Sequence, residues 1–199
     1  MLTRSAFLTL VLLVRVAVAH ADQSPPPAPA QAGPATLSVR GDASQVTYHL
    51  VHKLHRVDGT SKRVDGRARL QSSGPTQVAI RVPIESFDSG NVNRDAHMKE
   101  ATEAARFPYV ELKATADGLA VPSTFPTRVE KTWHAQLTFH GVSHELDLPI
   151  VVRFEAPDRA TATTTFTISL DAYKVERPSL MFVKVDDALK IDAQLAFGP

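Results

Sequence analysis

From residue 45 to the C-terminus the chain alternates apolar and polar residues with a period of two, the pattern of strands that bury one face. Residues 76–84 place Val78, Ile80, Val82 and Ile84 on one side. Residues 132–139 do so with Trp133, Ala135, Leu137 and Phe139, and residues 144–154 with Leu146, Leu148, Ile150, Val152 and Phe154. The last run, 188–197, offers Leu189, Ile191, Ala193, Leu195 and Phe197. Runs at 45–57, 61–70, 110–116 and 161–170 bring the expectation to eight strands, with a short segment at 37–40 ahead of them. Turn chemistry fills most gaps: Asp58-Gly59, Ser73-Gly74-Pro75, His140-Gly141 and Pro157-Asp158. Such a meander is all-β and antiparallel, and it buries its apolar faces either as a sandwich or by closing into a barrel. A barrel of eight strands has room for a side-chain core or for one small ligand.

Two connections are long. Across 86–109, Asn93 is a helix cap, Met98, Ala101 and Ala105 share one face, Lys99 and Glu103 are four apart, and Pro108 stops the run. One short amphipathic helix over 94–106 follows. The second connection, 171–187, carries the apolar cluster Leu180-Met181-Phe182-Val183, suited either to cover a barrel mouth or to pair with a neighbouring strand.

Ahead of the strands, residues 1–21 read as a signal peptide, with basic Arg4, a compact apolar run at 5–14 and the small-x-small Ala19-His20-Ala21. The apolar run is about half of the roughly 20 residues a membrane span needs, so no transmembrane anchor is expected once the leader is cleaved after Ala21. Residues 22–35, rich in Pro and Ala, read as an extended tether, leaving 36–199 as one domain in the periplasm or outside the cell. The absence of cysteine excludes disulfides and a cysteine-linked lipid. Removing Arg4 and Arg15 with the leader leaves a nearly neutral chain, which gives no basic face for nucleic acid.

Candidate chemistry is sparse. The stretch FDSGNVNRDAHMKE (87–100) concentrates Asp88, Asn91, Arg94, Asp95 and His97, but Asp95 and His97 are two apart and point to different sides of a helix. No nucleophile elbow accompanies Ser86 or Ser89. The expected roles are structural: Asp88, Ser89 and Asn91 satisfy turn and cap bonds, while Arg94 and His97 tie the helix to a barrel rim. His49, His52 and His55 recur every third residue, so a regular strand puts His52 on the face of Tyr48, Leu50 and Leu54 and the other two opposite. A bulge would be needed to converge them on a metal. The pair His140 and His144 lacks the HExxH order, and no phosphate-binding glycine loop is present.

Three segments carry a resemblance. SFDSGNVNRDAHMKEATEAARFPYVELKA (86–114) is similar to a pattern of Asp-Thr-Gly-Asn, Arg-Asp-x-His-Leu and Phe-x-x-x-x-Pro, carried here by Asp88, Gly90, Asn91, Arg94, Asp95, His97, Met98 and Pro108. VTYHLVHKLHRVDGTSKRVDG (46–66) resembles the first hairpin of the same family, and QLTFHGVSHELDLPI (136–150) its Leu-Thr-x-x-Gly-Val-Thr turn. On these residues the chain resembles the YceI-like proteins, exported polyisoprenoid-binding proteins with a lipocalin-like eight-stranded antiparallel barrel. Residues 171–187 depart from the family's Arg-x-x-Phe-Gly form.

The resemblance implies a non-enzymatic carrier with no cofactor beyond a bound isoprenoid, quinone-tail or acyl ligand. Apolar contacts along the tail are expected from Tyr48, Leu50, Leu54, Val110, Leu112, Trp133, Leu137, Phe139, Phe166 and Ile168, with His52 as a head-group partner. Asp88, Asn91, Arg94, Asp95, His97 and Met98 would form the rim. Two other readings stay open: a filled-core barrel that docks onto an envelope protein or a second copy through 180–183, and a His-dependent metal or haem enzyme.

Overall fold

How the alternating faces meet is shown by the computed structural model, which describes residues 35–52, 55–71, 74–180 and 183–199. The strands are β1 (Ala35–Val39), β2 (Gln45–His52), β3 (His55–Ser61), β4 (Asp65–Leu70), β5 (Thr76–Pro83), β6 (Tyr109–Ala116), β7 (Thr127–Phe139) and β8 (Val142–Ala156). They continue with β9 (Arg159–Ser169), the short pair β10 (Ser179–Leu180) and β11 (Val183–Lys184), and β12 (Ala188–Gly198), with helix α1 (Val92–Ala101) between β5 and β6. Eight of them, β1, β4, β5, β6, β7, β8, β9 and β12, form a closed antiparallel barrel. Closure depends on the short first strand. The C-terminal end of β12 pairs with β1 (Phe197 with Val39, Gly198 with Ser38), and β1 pairs in turn with β4 (Leu37 with Ala68).

The other half of β12 pairs with β2, Leu189 opposite Leu50 and Ile191 opposite Tyr48, and β3 continues the wall beyond β2. There the wall is completed by a single bridge, in which the Thr60 amide donates to the Asp88 carbonyl at 2.9 Å and the Asp88 amide donates back at 3.1 Å. The expected first strand over 45–57 is therefore two strands of a hairpin, β2 and β3, and the eighth wall position belongs to β1.

Asp58-Gly59 is not a turn: Asp58 and Gly59 lie inside β3, opposite His49 and Tyr48. The glycine serves a different purpose, because the Tyr48 ring lies across it and occupies the space a Cβ would take. Similarly, the closure of the barrel takes in Ala35, the last residue assigned to the tether.

The helix also differs from expectation. Asn91, not Asn93, is its cap: its side-chain oxygen accepts from the amides of Asn93 and Arg94, each at 3.1 Å. It ends at Ala101 rather than running to Arg106. Glu103 turns left-handed (φ 45°), and the bonds from the Ala104 amide to the Lys99 carbonyl and from Glu103 to Glu100 close the last turn. Ala105 consequently points to solvent, and Met98 and Ala101 make the inward face. Among the described residues no helix is long and apolar enough to cross a membrane. The leader, nearly all of the tether, and Leu54, Met181 and Phe182 lie outside the described residues, as do the side chains of His52, His55, Leu180 and Val183.

Candidate functional site: an apolar cavity beneath a helix

Period-two alternation aims Val46, Tyr48 and Leu50 of β2, Val110 and Leu112 of β6, and Phe166 and Ile168 of β9 at one another across the barrel axis. Their packing does not fill it. A cavity of about 900 Å³ remains, within the range of 300–1,000 Å³ common for small-molecule sites. Where β1 closes the barrel, its lining is hydrocarbon: Leu37, Leu70, Phe154 and Phe197. At the opposite end α1 lies over it, contributing Arg94, His97, Met98, Glu100 and Ala101, and the strap 175–179 adds Glu176 and Arg177.

Of the residues singled out from the sequence, Tyr48, Leu50, Val110, Leu112, Trp133, Leu137, Phe139, Phe166 and Ile168 all line this cavity. His52 and Leu54 fall outside what is described of side chains. Ile80, Val82, Phe87 and Ile191 also line it. Alternation puts Ile80, Val82 and Ile191 on inward faces, so the pattern that marks the other lining residues carries these too.

The residues at 87–100 form a clasp. Asp95 is buried, and its carboxylate accepts from the Ser89 amide at 3.1 Å and from the Ser89 hydroxyl at 2.5 Å. Arg94 donates to the same serine, through Nε to Oγ at 3.0 Å and through a terminal nitrogen to the carbonyl at 2.7 Å. Asp88 accepts from the Gly90 amide at 2.7 Å, and Asn91 caps the helix. Among the described residues Ser89 is thus held by a carboxylate and a guanidinium, with no histidine hydrogen-bonded to it. His97 does not tie the helix to the barrel: its ring is three-quarters exposed and faces Glu100 of its own helix at 3.3 Å.

Histidines elsewhere are engaged structurally. His49 sits on the outer face with its ring nitrogens 2.7 Å from Asp58 and 2.7 Å from Asp192. The Thr165 hydroxyl, donating at 2.6 Å, is the main reason the Asp192 carboxyl is held at about 2, with His49 and Lys190 adding to it against partial desolvation. His140, left-handed at φ 49° in the β7–β8 turn, is buried between the Tyr173 carbonyl (3.0 Å) and Glu103 (3.2 Å). Among the described residues no group of three His, Cys, Asp or Glu side chains is arranged to hold a metal ion. The arrangement is suited to enclosing an apolar chain.

A family profile described as YceI-like domain matches residues 37–197. Comparison with curated proteins finds no match. Among solved structures, similarity extends to a polyisoprenoid binding domain from Saccharophagus degradans implicated in plant cell wall breakdown (19% identity, TM-score 0.68), covering 81% of this chain and 97% of that one. It extends also to BcnA of Burkholderia cenocepacia (15% identity, TM-score 0.65; 79% and 98% covered). The YCEI protein of Campylobacter jejuni matches at 14% identity and TM-score 0.57, with 75% and 88% covered. At these identities the likeness establishes a shared fold.

Proposed function

Because the chain belongs to the YceI-like domain family, we propose that it is an exported, non-enzymatic binding protein that carries a long apolar chain inside its barrel. The ligand class is a polyisoprenoid, an isoprenoid quinone or a fatty acyl chain, and the place is the periplasm or the cell exterior. The observation that carries this reading is the 900 Å³ cavity, whose wall from Leu37 to Leu50 is mainly apolar while α1, the strap and Lys184 of β11 supply its charged side chains. Apolar burial contributes about 25 cal/mol per Å², so a long chain binds through contact area with few polar bonds. A solved relative described as a polyisoprenoid binding domain shares the fold and supports the ligand class. Export rests on the leader-like residues 1–21 and the tether that follows.

The test is mass spectrometry of an organic extract from protein purified from its own envelope fraction, set against a mock purification. A stoichiometric isoprenoid or acyl species supports the carrier. A lipid-free protein that also refuses added lipid sinks the proposal and favours a filled-core docking module.

A further inference from the structure

Tyr48 is one of a few polar side chains in a largely apolar wall, with Thr76, Thr163 and Thr164. It lies mid-strand in β2, its ring laid across Gly59 of β3 and packed against Phe87 with centroids 5.5 Å apart. The residue is buried, with 8% of its surface exposed, and it lines the cavity. Among the described residues its hydroxyl has no hydrogen-bond partner, and burial, with the charge of Asp95 adding to it, pushes its ionisation up to about 12. The group is a neutral phenol at any physiological pH. It is not among the sealed, unpaired side-chain atoms of the described residues, which are Trp133 Nε1 and Thr164 Oγ1, so its donor is open to the cavity and free to meet a ligand.

We infer that the Tyr48 hydroxyl is a ligand-reading group, donating a hydrogen bond to an uncharged oxygen on the bound chain: a carbonyl, ester or alcohol oxygen. The inference rests on the carrier reading and adds the ligand's polar chemistry and its orientation. The charges around the hydroxyl decide the ligand's charge. Asp95, buried in α1, and Asp58, next to Gly59 in β3, both oppose negative charge there. Arg94 acts in the other direction, but two of its nitrogens are committed to Ser89. An anionic head group beside the hydroxyl would be repelled by Asp95, which does not itself line the cavity, whereas a neutral acceptor there would not. The tail then runs away from α1 toward Leu37, Leu70 and Phe197, where the lining has no charge to offer.

The experiment uses the delipidated full chain and three probes delivered from phosphatidylcholine vesicles: methyl stearate, stearate and octadecane. Trp133, the single tryptophan, lines the cavity and reports binding by its fluorescence. Octadecane uptake by the wild type tests the carrier reading alone. For Tyr48→Phe, methyl stearate should bind roughly fivefold more weakly while octadecane is unchanged, as expected for loss of one neutral hydrogen bond. The ligand-free variant should melt close to the wild type, since no protein partner is lost. Equal affinity of the two proteins for methyl stearate overturns the inference. So does a lower melting temperature of the ligand-free variant, which would mean the hydroxyl has a protein partner. Tighter binding of stearate than of its ester would overturn the neutral-acceptor assignment, and failure of the wild type to bind any probe would remove the carrier reading and this inference together.

Discussion

Replacing Gly59 with alanine tests whether the position of the Tyr48 ring shapes the cavity. A Cβ at residue 59 would stand 2.5 Å from the Tyr48 hydroxyl oxygen and closer still to two ring carbons. Phe87 packs against the same ring, so relief requires the ring to move into the cavity or β3 to bow outward. Overpacking of this kind costs about 1–3 kcal/mol. Alanine recovers roughly 0.5–1 kcal/mol of the backbone penalty of a mid-strand glycine, so the middle of both ranges leaves a net loss of about 1 kcal/mol. For a chain of this length that lowers the thermal midpoint by roughly 2–4 °C. The decisive comparison is a double-mutant cycle followed by thermal denaturation. With Tyr48→Ala in place the ring is gone, so Gly59→Ala should then be neutral or slightly stabilising, giving a coupling of about 1–3 kcal/mol between the two sites. A ring displaced into the cavity should also weaken chain uptake by Gly59→Ala. Equal effects of Gly59→Ala with and without Tyr48 would refute the argument, and so would a Gly59→Ala protein as stable as the wild type.

Two further outcomes follow from the clasp and the outer face. Asn91→Ala removes the acceptor for two helix amides and should destabilise the fold by about 1 kcal/mol, seen as a lower thermal midpoint that Asn91→Asp restores. At the outer face, Thr165→Val removes the main support of the Asp192 carboxylate, so its NMR titration should rise from about 2 toward 3.8. The sign follows from linkage: a carboxyl held below its unfolded value stabilises the fold above about pH 4, and that contribution is lost as pH falls from 3.8 to about 2. An Asp192 titration indifferent to Thr165→Val would contradict the assigned cause.

Much of this architecture was legible in the chain because a half-buried strand writes its geometry into every second residue. Val78, Ile80 and Val82 announce their inward face without any tertiary information. The division into β2 and β3 was not legible, since residues 45–57 contain neither glycine nor asparagine to mark a break. Asp58-Gly59 nearby has ideal turn chemistry but answers to a cross-strand neighbour, Tyr48, which only the folded register reveals. The helix start was ambiguous for a local reason: Asn91 and Asn93 are both good caps, and the extended backbone of Asn91 (φ −145°, ψ 108°) decides between them. Its end was hidden because Glu103 adopts a left-handed conformation more usual for glycine. At the site, alternation told which side chains face inward, but whether opposing faces touch or leave space depends on barrel closure through β1. That strand is five residues long and carries little pattern of its own.

The central claim is that an apolar chain lies within the barrel, against Trp133. Titrating delipidated protein with bromine-substituted methyl stearate tests it most directly, because bromine quenches an indole only at close range. The account predicts quenching of Trp133 that saturates near one chain per barrel and is reversed by unlabelled methyl stearate. Trp133 fluorescence that stays unquenched while the chain remains in the vesicles, or quenching that never saturates, would contradict it.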